Sequence, residues 1–281
     1  MRSRNEARRA AISELRRAGV PTPVLDADLL LAYVLGGRKE DVYAHPEKPL
    51  TEWAERGLAE LVARRARGEP VAYLRGVKEF YALPILVDPR VVIPRPETEV
   101  LVAEAVSWAA SRPEAWICDL GTGSGAVAVC IAMELPLAHV VAIDASPGAL
   151  EVARENAVRH DVAERITFLG GELLAPLQVT VDAVVANLPY LPSAMLDAPD
   201  ATSLAYEPRQ ALDGGADGLE VIRRAIAELP DRLARDGAAF FECDPEQVEE
   251  VGFLLRSALR ARTRVVRDLA GRDRVVVAER G

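Results

Sequence analysis

A chain of 281 residues with 34 Lys and Arg against 43 Asp and Glu has a formal net charge of -9. That balance excludes the overall basic footprint of a nucleic-acid-binding protein. Half of the residues are hydrophobic and 27% are charged, which suits one or two globular domains with a full core. No stretch approaches the ~20 apolar residues of a membrane span. The arginine-rich start (Arg2, Arg4, Arg8, Arg9, Arg16, Arg17) leads into no apolar signal core and is interrupted by Glu6 and Glu14. Three scattered cysteines, Cys118, Cys130 and Cys243, have no metal-ligand spacing. They suit buried thiols in a reducing compartment, so a metal-free cytoplasmic protein is expected.

Residues 1–75 read as a small helical bundle. Ile12 and Leu15 anchor a first helix that stops near Gly19, and a second runs over 26–35 to Gly36-Gly37. Thr51 is a candidate N-cap for a third, whose apolar positions Trp53, Ala54, Leu58, Leu61 and Val62 recur at helical spacing. Residues 76–95 change character: the run through Phe80, Ile85 and Val87, then Val91-Val92-Ile93, predicts a β-hairpin linking two domains. Arg95-Pro96-Glu97-Thr98-Glu99 then opens a helix to Trp108, with Pro96 and the acids suited to its N-terminus.

From residue 115 strands and helices alternate. Strands are expected at 116–120, 140–143, 166–169, 182–186 and 238–243, each followed by a helix or a loop. Ser146-Pro147 forms an N-cap and first-turn proline, a long insertion covers 191–216, and helices fill about 217–235 and 246–260. A final pair at 263–268 and 274–278 is joined by a short turn. The pattern predicts an α/β fold, with a doubly wound, seven-stranded and mostly parallel sheet whose last strand is antiparallel. The expected domains are 1–75, the linker 76–95, and 96–281.

Two stretches carry chemistry. The first is Asp119-Leu120-Gly121-Thr122-Gly123-Ser124-Gly125, between the first strand of the alternating part and its helix. Glycines there permit a tight turn and close approach of a ligand, and the helix N-terminus adds a positive end. Asp144 lies 19 residues after Gly125, at a strand end where a carboxylate can accept hydrogen bonds from ribose hydroxyls. Together they imply an adenosine-bearing cofactor. Gly121-x-Gly123-x-x-Ala126 also satisfies a dinucleotide fingerprint. S-adenosylmethionine is favoured because Asp119 can meet an amino group, whereas it would repel a pyrophosphate.

The second stretch, Asn187-Leu188-Pro189-Tyr190, follows the apolar run 182–186. It forms a small polar cup: Asn187 offers a side-chain oxygen, Pro189 restrains Leu188 so that its carbonyl is aimed, and Tyr190 offers a flat face. Such a cup suits a planar amide or amine whose NH2 is held by two acceptors.

With these residues in view the chain resembles class I methyltransferases, and the cup resembles the Asn-Pro-Pro-Tyr signature of enzymes that methylate amino groups on planar systems. Further stretches narrow the resemblance to the release factor glutamine methyltransferases. They are Asp26-Ala27-Asp28-Leu29-Leu30-Leu31, Gly68-Glu69-Pro70-Val71-Ala72-Tyr73, Ile93-Pro94-Arg95-Pro96-Glu97-Thr98-Glu99, Tyr206-Glu207-Pro208, Gly214-Gly215-Ala216-Asp217-Gly218-Leu219 and Asp268-Leu269-Ala270-Gly271-Arg272-Asp273-Arg274.

The resemblance implies methylation of the glutamine side-chain nitrogen in the Gly-Gly-Gln motif of class 1 peptide chain release factors. It further implies cofactor binding by Asp119, Gly121, Thr122, Gly123, Ser124, Gly125 and Asp144, with Asn187 also touching the cofactor. Glu172 and Leu173 would flank the adenine, and Asn187, Leu188, Pro189 and Tyr190 would hold the glutamine. Leu188 departs from the usual proline and looks like the version in ribosomal RNA adenine dimethyltransferases. The rival expectations are an adenine amino-group methyltransferase on RNA or DNA and, less supported, an NAD-dependent oxidoreductase. Neither a membrane nor a direct nucleic-acid partner is expected. Nothing in the sequence demands a dimer, and a monomer is expected. Segment 191–216 is expected to fold over the acceptor pocket, where Glu207 either contributes or serves structure.

Overall fold

The computed structural model describes residues 1–198 and 204–281. The chain divides into two compact units, Met1–Val77 and Lys78–Gly281.

The first unit is helical: α1 (Arg4–Arg17), α2 (Pro23–Val34), α3 (Lys39–Ala44), α4 (Glu52–Ala66) and α5 (Val71–Arg75). Ser3 and Glu6 close a capping box on α1, and Thr51 Oγ1 accepts from the Ala54 amide at 3.2 Å to cap α4. Helix α2 begins three residues earlier than its periodicity predicts, because Pro23 supplies a preset first turn. Asp26 and Asp28 lie in its first two turns, both buried, and each meets an arginine: Arg65 Nε donates to Asp26 at 2.7 Å and Arg8 Nε to Asp28 at 2.5 Å. These acids tie α2 to α4 and to α1. Trp53, expected on the apolar face of α4, is instead 69% exposed, while Ala54, Leu58 and Val62 enter the core.

The chain enters the second unit along a hairpin of β1 (Val77–Phe80) and β2 (Leu83–Leu86). Its turn residues Tyr81 and Ala82 both have positive φ, as a two-residue hairpin turn requires. Residues 91–93 form no strand, contrary to their β-branched pattern. The Ile93 amide is bonded instead to Glu207 Oε2 at 2.9 Å, which removes it from any ladder.

Beyond the hairpin come α6 (Glu99–Ala109), β3 (Trp116–Leu120), α7 (Ala126–Glu134), β4 (His139–Asp144), α8 (Pro147–Arg159), β5 (Ile166–Gly170) and β6 (Val181–Ala186). They are followed by α9 (Ser193–Leu196), α10 (Glu220–Arg232), β7 (Leu233–Glu242), α11 (Val248–Leu259), β8 (Arg262–Arg267) and β9 (Asp273–Glu279). The seven-stranded sheet has the order β5-β4-β3-β6-β7-β9-β8. Strands β3 to β7 are parallel, and β9 runs antiparallel between β7 and β8. The central strands are buried on both faces, which explains their continuous apolar runs. The order reverses at β3, between β4 and β6. Crevices at the carboxyl ends of such strands are where ligands bind in open α/β sheets.

Strand β7 starts at Leu233, earlier than its apolar pattern suggests, because Leu233 pairs with Val181 before an irregularity in the ladder. Among the described residues no helix is long and apolar enough to cross a membrane. Of segment 191–216, residues 199–203 lie outside the described residues. The remainder closes on itself: the Leu191 amide donates to Leu212 O at 3.1 Å and the Gly214 amide to Leu191 O at 2.8 Å.

Candidate active site

Gly121, Gly123 and Gly125 all have positive φ, so the turn between β3 and α7 needs glycine at each. Space imposes a second demand. A Cβ on Gly125 would lie 2.9 Å from Ala153 Cβ on α8, and one on Gly121 would lie 2.9 Å from Leu188 Cδ2. Four of the five loop amides are used within the fold. Gly121 and Thr122 both donate to Ile143 O at 2.9 Å, Gly123 donates to Asp144 Oδ2 at 2.9 Å, and Gly125 donates to Thr122 O at 2.8 Å. A loop whose amides are spent in this way, set over two carboxylates, makes a poor cradle for a pyrophosphate. Asn156, fully buried on α8, braces it from behind. Its Nδ2 donates to Ser124 O and Leu86 O at 2.9 Å, and its Oδ1 accepts from the Leu86 amide at 2.7 Å.

Asp119 ends beneath this loop, 2% exposed. Its Oδ2 accepts from the Thr122 hydroxyl at 2.6 Å and the Ala128 amide at 3.1 Å. Burial pushes its carboxyl up to about 7 against the pull of those two bonds, and the Asp144 charge pushes the same way. Asp144 accepts from Gly123 and, through Oδ1, from the Ser146 amide at 2.8 Å; burial raises its pKa and these amides oppose the rise. Each Asp144 oxygen thus takes one backbone donor, Gly123 or Ser146, and keeps lone-pair capacity for hydroxyls. The Gly171 amide donates to Asp144 O at 3.1 Å, which brings the turn after β5 alongside. In that turn Leu173 is buried with φ of 46°, and Glu172 is exposed with Oε1 accepting from Arg224 at 2.9 Å.

The cup at 187–190 follows β6 directly. Asn187 Nδ2 donates to Thr98 Oγ1 at 3.0 Å, while Asn187 Oδ1 and the Leu188 carbonyl accept no hydrogen bond from a described residue. Leu188 is 4% exposed and belongs to the sheet core, so its side chain faces Gly121 while its carbonyl remains an acceptor. Gly214 and Gly218 pack against the back of the cup: a Cβ on Gly214 would lie 2.7 Å from Pro189 O, and one on Gly218 2.2 Å from Tyr190 O. Gln247 Nε2 also donates to Tyr190 O at 3.0 Å. Burial raises the pKa of the Tyr190 phenol, as does Glu242, so its proton stays on.

Residues 95–99 form a hub rather than only a charged helix start. Thr98 bonds Asn187, and Glu99 Oε1 accepts from the Tyr81 amide at 2.9 Å in the hairpin turn. Glu97 Oε1 accepts from Arg272 at 3.1 Å, and Arg95 pairs with buried Glu207. Glu207 therefore braces the site from outside, with both oxygens engaged by Ile93 and Arg95. The sequence singled out neither Asn156 nor Glu242, and it marked Thr98 and Arg274 only as members of longer stretches. A signal existed for Glu242, a lone acid at the end of an apolar strand.

The PrmC N-terminal domain family matches residues 6–76, and the ribosomal protein L11 methyltransferase (PrmA) family matches residues 97–197. The chain is 41% identical over 273 residues to the release factor glutamine methyltransferase of Moorella thermoacetica, covering 96% of both chains. It is 40% identical over 261 residues to the Coxiella burnetii protein of the same name, covering 92% of this chain and 93% of that one. A ribosomal protein L11 methylase from Lactobacillus delbrueckii subsp. bulgaricus shares the fold at a TM-score of 0.52 and 23% identity, over 70% of this chain and 84% of that one.

Proposed function

The chain belongs to the release factor glutamine methyltransferase family, and from that premise we propose how its own residues carry out the transfer. It is an S-adenosylmethionine-dependent protein-glutamine N-methyltransferase. Its substrate is the side-chain amide of the glutamine in the Gly-Gly-Gln motif of class 1 peptide chain release factors, met in the cytoplasm. Residues 1–75 recognise the release factor, 76–95 link the parts, and 96–281 carry the chemistry.

The observation that carries this reading is the cup: two acceptors, Asn187 Oδ1 and the Leu188 carbonyl, without a partner among the described residues, at the crevice end of β6.

The glycine turn fits the cofactor on charge. Its spent amides and its two carboxylates suit a ligand bearing ammonium and sulfonium charge rather than phosphate. Gly121 to Gly125 and Asp119 would line it, Asp144 would accept from its ribose hydroxyls, and Glu172 and Leu173 would flank its adenine. The cofactor supplies a methyl group already activated as an electrophile by its sulfonium.

An amide nitrogen is a weak nucleophile because its lone pair is delocalised into the carbonyl, so the protein's contribution is orientation. Asn187 Oδ1 and the Leu188 carbonyl would each accept one N–H of the glutamine amide and fix the direction of its nitrogen. Thr98 holds Asn187 through Nδ2, so the acceptor end of that amide is the one left for substrate. As positive charge grows on the nitrogen, both acceptors stabilise the N–H groups that carry it. Tyr190 and Pro189 wall the cup, and the proton passes to water once the alkylated nitrogen has become acidic. Orientation of this kind supplies up to about 7–11 kcal/mol in favourable cases.

The test is transfer of radiolabel from S-adenosylmethionine in separate incubations with a release factor, with ribosomal RNA and with neither. Label is expected in the release factor glutamine alone. Asn187→Ala should remove nearly all turnover while cofactor binding and the unfolding midpoint stay near wild type. Retention of most of kcat in that variant, or label in RNA, contradicts the assignment.

A further inference from the structure

Glu242 is the last residue of β7, one step beyond the Phe241–Ala186 pair, and so stands beside Asn187. It is completely buried. Tyr190 Oη donates to its Oε1 at a long 3.4 Å, and Oε2 has no hydrogen-bond partner. An acid held so poorly at the centre of a sheet costs stability, and an apolar residue would fit a strand of this composition at less cost. A use is therefore required, and the neighbours indicate one.

Thr98, which bonds the neighbouring Asn187 at 3.0 Å, also acts on this carboxyl and pulls its pKa down. Thr98 has one proton to give, and its oxygen already accepts from Asn187 Nδ2. We propose, resting on the cup's role in binding glutamine, that Glu242 is a positioning residue that sets the polarity of the cup by fixing, through Thr98, which end of the Asn187 amide faces substrate.

An ionised Glu242 can only accept, so it would draw the Thr98 O–H toward it as a hydrogen-bond donor. Thr98 then presents only lone pairs to Asn187, which answers with Nδ2 and leaves Oδ1 for the substrate N–H. A Glu242 that carries a proton, or a glutamine in its place, can donate to Thr98. The Thr98 hydroxyl, keeping its proton, would then donate a hydrogen bond to Asn187 Oδ1, and the amide turns over. Nδ2 would face the substrate NH2, donor against donor, and the cup would no longer hold it.

The surroundings place this choice in an accessible pH range. Burial, opposed by Thr98, Arg274 and Tyr190, pushes the Glu242 carboxyl up to about 7, and Glu97 adds to the rise. Arg274 on β9 is shared: its Nε lies 3.7 Å from Asp268 Oδ2 and its Nη1 donates to Cys243 O at 3.2 Å. Arg95 acts on the Tyr190 phenol, and burial holds the Cys243 thiol protonated, up to about 12. Glu242 is thus the member of this cluster that changes charge near neutrality, and ionisation is the competent state.

The experiment is steady-state methylation of a release factor from about pH 6 to about pH 8.5, with cofactor affinity measured by calorimetry, for wild type, Glu242→Gln, Thr98→Val and Thr98→Ser. Glu242→Gln and Thr98→Val are each expected to lose about 100-fold in kcat, with cofactor affinity within about threefold of wild type. Wild-type kcat rises across the lower part of the range, and Glu242→Gln loses that rise. Thr98→Ser keeps the hydroxyl and stays within about threefold of wild type, and the Thr98→Val/Glu242→Gln double variant is no slower than the slower single. Should Glu242→Gln fail to fold, the Ser and Val variants at position 98 decide the matter. A Glu242→Gln enzyme with most of its kcat or an intact acid limb overturns the proposal, as do equal rates for Thr98→Ser and Thr98→Val. A wild-type chain that labels no release factor overturns the functional reading first, before any variant is compared.

Discussion

Leu188 lies so close to Gly121 that a Cβ on residue 121 would sit 2.9 Å from Leu188 Cδ2. The cofactor turn and the acceptor cup are thus in van der Waals contact through the residue at which this chain departs from the family signature. Leu188 has two separable parts. Its carbonyl is the acceptor proposed for the substrate amide, and its side chain, 4% exposed, fills the space beneath the glycine turn. Leu188→Ala keeps the carbonyl and empties the space, so about 2–5 kcal/mol of stability should be lost with a smaller change in kcat. Leu188→Pro fixes φ at that residue and is expected to raise kcat/KM, because the leucine leaves the carbonyl less rigidly aimed. Denaturant midpoints and initial rates check both. A proline variant with equal or lower activity refutes the view that leucine is a compromise.

The alternating strands and helices could be read from the sequence because parallel strands covered on both faces are apolar along their length, as 140–143 and 183–186 are throughout and 117–120 is except at Asp119. The glycine turn was equally visible, since positive φ at 121, 123 and 125 leaves little choice of residue. What escaped was pairing at a distance. Thr98 meets Asn187 across 89 positions, and nothing local marks it as a partner. The place of β9 between β7 and β8 is likewise set by long-range ladders and not by the hairpin turn that was recognised. Val91-Val92-Ile93 has the composition of a strand, yet a glutamate 114 positions away claims the Ile93 amide. Glu207, for which a place in the pocket and a structural role both stood open, has its two oxygens engaged in bracing.

Asp119 predicts a pH dependence of cofactor affinity that is separate from catalysis. Burial holds its carboxyl up to about 7, so the group ionises as pH rises through that value. A cationic ligand binds better to the ionised form, and affinity should rise by up to about tenfold per pH unit below 7 and level off above it. Stability runs the other way. The folded pKa is raised above the unfolded 3.8, so the contribution of the protonated form is fully present below 3.8 and is lost as pH rises through about 7. Asp119→Asn should flatten both curves, with weaker cofactor binding at pH 8 and a smaller fall in melting temperature between pH 5 and pH 8. Calorimetric titration and thermal melts of the two proteins measure this. A variant whose affinity keeps the wild-type slope shows that another group is responsible.

Glu207 and Arg95 carry the last prediction. The glutamate side chain is 2% exposed; one oxygen accepts from the Ile93 amide at 2.9 Å and the other takes the Arg95 guanidinium. Glu207→Ala leaves a buried backbone N–H without an acceptor, a loss of about 1–3 kcal/mol. The arginine side chain is 38% exposed, so water relieves its lost charge and little further stability is lost there. The functional cost follows from sequence position: Arg95 lies three residues before Thr98, which holds Asn187. Slackening the 93–95 backbone should therefore lower kcat by more than it weakens cofactor binding. Glu207→Gln retains an acceptor for Ile93 and should cost about 1 kcal/mol with near-wild-type turnover. Chemical denaturation beside initial rates for the two variants separates the effects. Equal midpoints for Glu207→Ala and wild type would show that the Ile93 amide finds another acceptor and that this brace does not hold the cup.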